Sequence, residues 1–296
     1  MGSRTAAEAV VEKKLGAYAD YAKSVYWPHA YVNWVRDDLL ARIDNPDLIW
    51  QSCTNTCGIA TFINALAWDD PYLYAYFVSE LVVSGAAYLG YGGDARVIKA
   101  SKLTRSSKIP FEMSHADWVG IASIRDYLND VLHYSYNMGV PVLKDIPLLG
   151  FLGTPNLVEA VGGITWPSDL ETILKSVGYT KVVNEADATA MPSPETVGAA
   201  NSYLAKEYRV LILIHTNLLH DNGGSVDHSS FPNHWVRLTG KFELKAHHFK
   251  SDKENGIRFK IRDTASGMHV EVPTSGGYLR HSGFMDNFYG YIAGKH

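Results

Sequence analysis

The chain has 296 residues, 46% of them hydrophobic and 20% charged, which fits an ordinary globular protein of one large domain or two small ones. A formal charge of −4 argues against a broad basic face for nucleic acid. Two cysteines, Cys53 and Cys57, exclude a disulfide framework.

Residues 5–24 read as an amphipathic helix without the apolar core of a secretory leader. The expectation is a protein that is cytoplasmic in the producing cell, with any export independent of a signal peptide. Pro28 interrupts, a second helix covers 32–43, and Asn45-Pro46-Asp47 signals a turn.

The stretch with chemical content follows, Gln51-Ser-Cys-Thr-Asn-Thr-Cys57-Gly58. Ile59, Phe62, Ile63 and Leu66 recur at i, i+3, i+4 and i+7 and predict a helix from Cys57 to about Trp68. A thiol at its first turn sits among backbone N–H groups at the positive end of the helix dipole, where the reactive thiolate is favoured. Gly58 leaves room beside the sulfur. Gln51, six residues upstream, can donate an amide hydrogen bond there. Both cysteines are expected as reduced thiols, since a bridge between them would close a very short loop. A C-x3-C metal site lacks its second pair.

Asp70 is a predicted N-cap with Pro71 at the first helical position. The helix that follows is expected from Tyr72 to Tyr88. Its apolar stretch is read as buried, being marginal for a membrane span at about seventeen residues. Residues 94–113 read as a surface loop or short turns and 114–131 as a helix. Residues 137–163 read as a long irregular segment suited to shaping a groove. A helix over 167–178, a strand over 179–184 and a helix over 193–208 come next. The character then changes to strands: 209–216, 234–240, 242–249, 257–263 and 269–272, with Asn255-Gly256 a hairpin turn and an aromatic segment at 284–292. Helices first and antiparallel strands second make the class α+β.

Two further residues complete a possible reaction centre. His234 heads an alternating strand, the placement a base needs to activate a thiol. Asp263 ends a strand just before a turn and can orient the imidazole; Asn217 and Asp227 are the alternatives for that role. His215 reads as structural. His220-Asp221, His228, His247 and His248 raise a metal site, but no HExxH spacing accompanies them, so neither metal nor cofactor is expected.

Gln51-x5-Cys57 at the mouth of a helix, Asn233-His234 before an apolar strand, and Asp263 after both resemble the papain-like cysteine peptidase superfamily. Cys57-Gly58-Ile-Ala is similar to the opening of bacterial effector-type cysteine proteases and cysteine-dependent toxins. It departs from papain's own Cys-Trp, and the His-to-Asp interval of 29 residues (263 − 234) is longer than papain's. The resemblance implies Cys57 as nucleophile, His234 as base, Asp263 as orienting group and Gln51 in the oxyanion hole. It implies one papain-like domain: an N-terminal extension over 1–50, a helical lobe over 51–208 carrying the nucleophile helix, and a sheet lobe over 209–296. A protein or peptide substrate follows, with amide hydrolysis as the reaction and a cognate inhibitor or immunity protein as a further partner. The same machinery serves glutamine deamidation, transglutamination or cell-wall peptide hydrolysis. A catalytically silent binding module is the reading from another class.

Overall fold

The computed structural model describes residues 3–52, 54–128, 165–187, 193–219, 232–245, 256–274, 278–280 and 284–296. The protein mixes helices with antiparallel sheet, an α+β chain. It divides into two compact units. The first comprises Met1–Ile164, Ser176–Gly178 and Thr264–Gly267, and the second Thr165–Lys175, Tyr179–Asp263 and Met268–His296.

In the first unit α1 (Arg4–Leu15) starts at Ser3, whose side chain accepts from the Ala6 N–H. It buries Ala7, Val11 and Leu15 and stops at Gly16, well short of residue 24. Beyond Leu15 no apolar face continues, and Tyr18 and Tyr21 are exposed. The next helices are α2 (Val32–Asp44) and α3 (Cys57–Asp69), the latter buried from Cys57 through Ala67. Asp70 then caps α4 (Pro71–Ser84) by accepting from the Leu73 N–H at 3.0 Å, with Pro71 in the first turn, as its residue types predict.

Helix α4 ends four residues early, at Gly85 in the left-handed region (φ +74°), because the chain turns into β1 (Ala87–Leu89). This strand pairs with β2 (Arg96–Ile98). The expected loop over 94–113 thus holds β2 and a short helix, α5 (Lys102–Ser106). The last helix among the described residues of the first unit is α6 (His115–Leu128). Among the described residues no helix is long and apolar enough to cross a membrane. The irregular segment expected over 137–163 lies outside the described residues.

At the start of α6, His115 Nδ1 accepts the Tyr31 N–H at 3.1 Å, and burial lowers the imidazole's pKa to about 4. Its unfolded value is about 6.5, so between the two the folded protein binds fewer protons. The stability this group contributes is present above pH 6.5 and is lost as pH falls toward 4. Urea midpoints should therefore drop over that window, and drop less in His115→Asn, which keeps an acceptor for Tyr31.

Among the described residues the second unit holds α7 (Pro167–Ser176, whose last residue belongs to the first unit), β3 (Thr180–Asn184), α8 (Pro194–Ala205), β4 (Arg209–Ile214), β5 (His234–Leu238), β6 (Glu243–Lys245), β7 (Gly256–Asp263), β8 (Met268–Val272), β9 (Leu279–Arg280) and β10 (Phe288–Lys295). Among the described residues the sheet order is β3-β10-β4-β5-β7-β6, with β8 and β9 also on β7, and every pairing is antiparallel.

The lobe boundary expected at 208/209 is corrected by this pairing. Strand β3 joins the sheet through β10 (Asn184 opposite Ile292), and α8 packs on β4 and β10, so the sheet unit begins near Thr165. The aromatic segment is likewise more than a closing patch, since β10 is an interior strand. Its Gly290 has φ +100°, and a Cβ there would lie 2.0 Å from the Glu185 carbonyl oxygen. Only glycine fits this bend, where the β10–β4 register shifts. Phe242, Phe259, Phe284 and Phe288 form the aromatic centre of the core, with centroids 5.0–5.7 Å apart. Asn255 lies outside the described residues, and Gly256 opens β7 opposite Lys245.

Candidate active site

Cys57 is the first residue of α3, a buried reduced thiol. The N-cap residue Thr56 makes no side-chain cap, because its Oγ1 bonds to Thr54 Oγ1 at 2.6 Å, and no acidic residue occupies the first turn. The positive end of the α3 dipole is therefore not offset by a local carboxylate. Gly58 follows, also buried. Cys53 lies outside the described residues.

Gln51 is 5% exposed and bonded at every polar group. Its side-chain amide Nε2 donates to the Thr54 carbonyl at 2.8 Å, and its Oε1 accepts from Thr264 Oγ1 at 3.2 Å. Its backbone N–H donates to the Thr264 carbonyl at 3.1 Å, and its own carbonyl accepts from Thr54 Oγ1 at 2.6 Å. One of the two Nε2 hydrogens is thus committed within the loop. The same loop is held at Trp50, whose indole Nε1 donates to the Ala265 carbonyl at 2.8 Å.

Behind the loop lies an ion pair that the sequence reading missed. Arg42 on α2 meets Asp117 on α6 in a two-pronged contact, Nε to Oδ1 at 2.7 Å and Nη2 to Oδ2 at 2.8 Å. Asp117 Oδ2 also accepts the Trp50 N–H at 3.1 Å, and Arg42 donates to the Leu48 carbonyl. Burial works against the Arg42 charge, but Asp117 outweighs it and holds the guanidinium above its ordinary range. The signal was available: Asp117, Ile121 and Ile124 share one buried face of α6, and a carboxylate on an apolar stripe demands a partner.

In the second unit, His234 is the first residue of β5 and Asp263 the last of β7. Their side chains are each 5% exposed, and His234 Nε2 lies 2.8 Å from Asp263 Oδ1. Two residues expected to act as base and orienting group, 29 positions apart, are brought together. The strands carrying them pair antiparallel, Arg237 opposite Arg262, which sets the end of β7 beside the head of β5. Of the alternatives, Asn217 donates its N–H to His215 Nδ1, and Asp227 lies outside the described residues. His215 sits just past β4 rather than within it, its imidazole pKa lowered by burial.

Among the described residues no group of three or more His, Cys, Asp and Glu could hold a metal ion. His220, Asp221, His228, His247 and His248 lie outside them. No protein-family model, no curated protein and no solved structure matches the chain.

Proposed function

We propose that the chain is a papain-like, cysteine-dependent hydrolase of amide bonds in proteins or peptides, with Cys57 as nucleophile, His234 as base and Asp263 as the carboxylate that orients it. The observation that carries this reading is the buried 2.8 Å contact between His234 Nε2 and Asp263. A strand-end imidazole held by a carboxylate is what thiol activation requires. Placement of Cys57 at the mouth of α3 supports it, as does chain continuity: Thr264, bonded to Gln51 by backbone and side chain, directly follows Asp263.

With Nε2 committed to Asp263, Nδ1 of His234 is the nitrogen that takes the thiol proton. The Cys57 sulfur attacks the carbonyl carbon. The Cys57 backbone N–H and the second Nε2 hydrogen of Gln51 stabilise the oxyanion, each worth about 3 kcal/mol. His234 returns the proton to the leaving nitrogen, and the C–N bond breaks to give a thioester. Water, deprotonated by His234, then displaces the sulfur, yielding a carboxylic acid and the original thiol. Attack by an amine in place of water would make the same site a transglutaminase.

Incubation with a peptide library, read by mass spectrometry, tests the reading. Wild-type protein should cleave or deamidate a subset of peptides. Cys57→Ala should lose that activity while keeping the circular dichroism spectrum. Full activity in Cys57→Ala would remove the thiol from the chemistry.

A further inference from the structure

Apart from the thiol chemistry, the first unit holds an open pocket of about 360 Å3 between the start of α4 and the β1–β2 hairpin. Four tyrosines line it: Tyr72 and Tyr76 from successive turns of α4, Tyr88 from β1, and Tyr91 from the turn beyond. Among the described residues that line it none is charged, and no other aromatic type contributes.

Three of the four tyrosines have side-chain partners. The rings of Tyr72 and Tyr76 are near-parallel, 18° apart with centroids 6.4 Å from each other. Tyr91 donates its phenol to Asp70 Oδ2 at 2.7 Å, while Oδ1 of the same buried carboxylate caps α4. Burial, with Asp70 beside it, raises the Tyr91 phenol's pKa, so it stays a neutral donor. The charge of Asp70 is thereby occupied inside the fold and not presented to the pocket. Gly90, at φ +112°, lets the turn approach the Ser176 carbonyl oxygen, which a Cβ would meet at 1.9 Å. Among the described residues a Cβ at Gly92 would meet nothing within 4 Å. Tyr88 is 58% exposed and Tyr91 48%, so both rings are open to a ligand.

The lining selects a chemical class. A phosphate or carboxylate would need a basic side chain, and none lines the wall. A purely apolar ligand gains nothing from four phenols over four phenylalanines. An organic cation would find no carboxylate among the described lining residues, Asp70 being committed to the α4 N-terminus and Tyr91. A neutral, polyhydroxylated ring meets both halves of tyrosine: its C–H face stacks on the flat apolar ring, and its hydroxyls exchange hydrogen bonds with phenols. The volume falls in the range of small-ligand sites, about 300–1,000 Å3, and suits a mono- or disaccharide. We propose that this pocket is a saccharide-binding site, with a neutral pyranose seated against Tyr88 and Tyr91.

Saturation-transfer NMR on the full chain tests this, using glucose, galactose, mannose, N-acetylglucosamine and the β-1,4-linked dimers cellobiose and chitobiose, with tetramethylammonium as the cation control. At least one sugar should bind saturably, and Tyr88→Ala should weaken it about tenfold, the effect of roughly 1.4 kcal/mol. Tyr91→Ala, checked for fold by its melting curve, should do the same, and Cys57→Ala should not. The proposal is overturned if none of these sugars binds, if the bound sugar is indifferent to Tyr88→Ala, or if tetramethylammonium binds at these tyrosines and the sugars do not.

Discussion

Replacing His234 with alanine should slow alkylation of Cys57 by iodoacetamide at pH 6 about a hundredfold. Alkylation needs a thiolate and nothing else from the site, so it reports ionisation apart from oxyanion stabilisation. A thiol at the free value of about 8.5 is only about 0.3% ionised at pH 6, whereas one paired with an imidazolium is largely ionised there. The ratio is a few hundred, trimmed because a less basic thiolate is a weaker nucleophile. At pH 9.5 the two proteins should react at similar rates. His234→Gln separates the base from the packing, since its amide still donates to the buried Asp263 but takes no proton at pH 6. Peptide mass spectrometry follows Cys53 and Cys57 separately. Identical pH profiles in wild type and both variants would show that His234 does not act on the thiol.

The second large effect is on stability. Asp117→Ala should cost about 3–5 kcal/mol, the range for removing one partner of a buried ion pair. It leaves the buried Arg42 guanidinium only the longer 3.7 Å carboxylate contact to Asp38 and deprives the Trp50 N–H of an acceptor. Urea midpoints at constant m-value measure it, and a loss under about 1 kcal/mol would mean that solvent reaches the pair. The double variant Arg42→Met with Asp117→Leu should recover most of the stability, as apolar replacements of buried pairs commonly do. It still lacks the acceptor for Trp50, so the loop carrying Gln51 should remain looser. Acylation of Cys57 by an activated ester should then fall while its iodoacetamide rate holds.

What could be read from the sequence was what local chemistry decides. The start of α3 follows from four apolar residues at helical spacing, and the start of α4 from Asp70 and Pro71, whose roles need no distant partner. Strands β5 and β7 begin and end close to where alternation and the turn residues place them, so His234 and Asp263 could be singled out before their contact was seen. Long-range decisions were hidden. Nothing near residue 184 shows that β3 pairs with β10, more than a hundred residues later, and the lobe boundary was misplaced for that reason. The turn at Gly85 overrode an apolar pattern that ran on to Tyr88. Thr264 carried no signal beyond its position after Asp263, although it bonds Gln51 at both its backbone N–H and its side-chain Oε1.

The bonds from Thr264 and Ala265 to Gln51 and Trp50 also bear on the order of assembly during synthesis. Thr264 is translated 207 residues after Cys57 (264 − 57). Through all that time the ribosome-bound chain carries the thiol and its helix, but not the strand end that anchors the Gln51 loop. The bonded arrangement of the Gln51 loop is therefore completed only when the segment after β7 has emerged and docked.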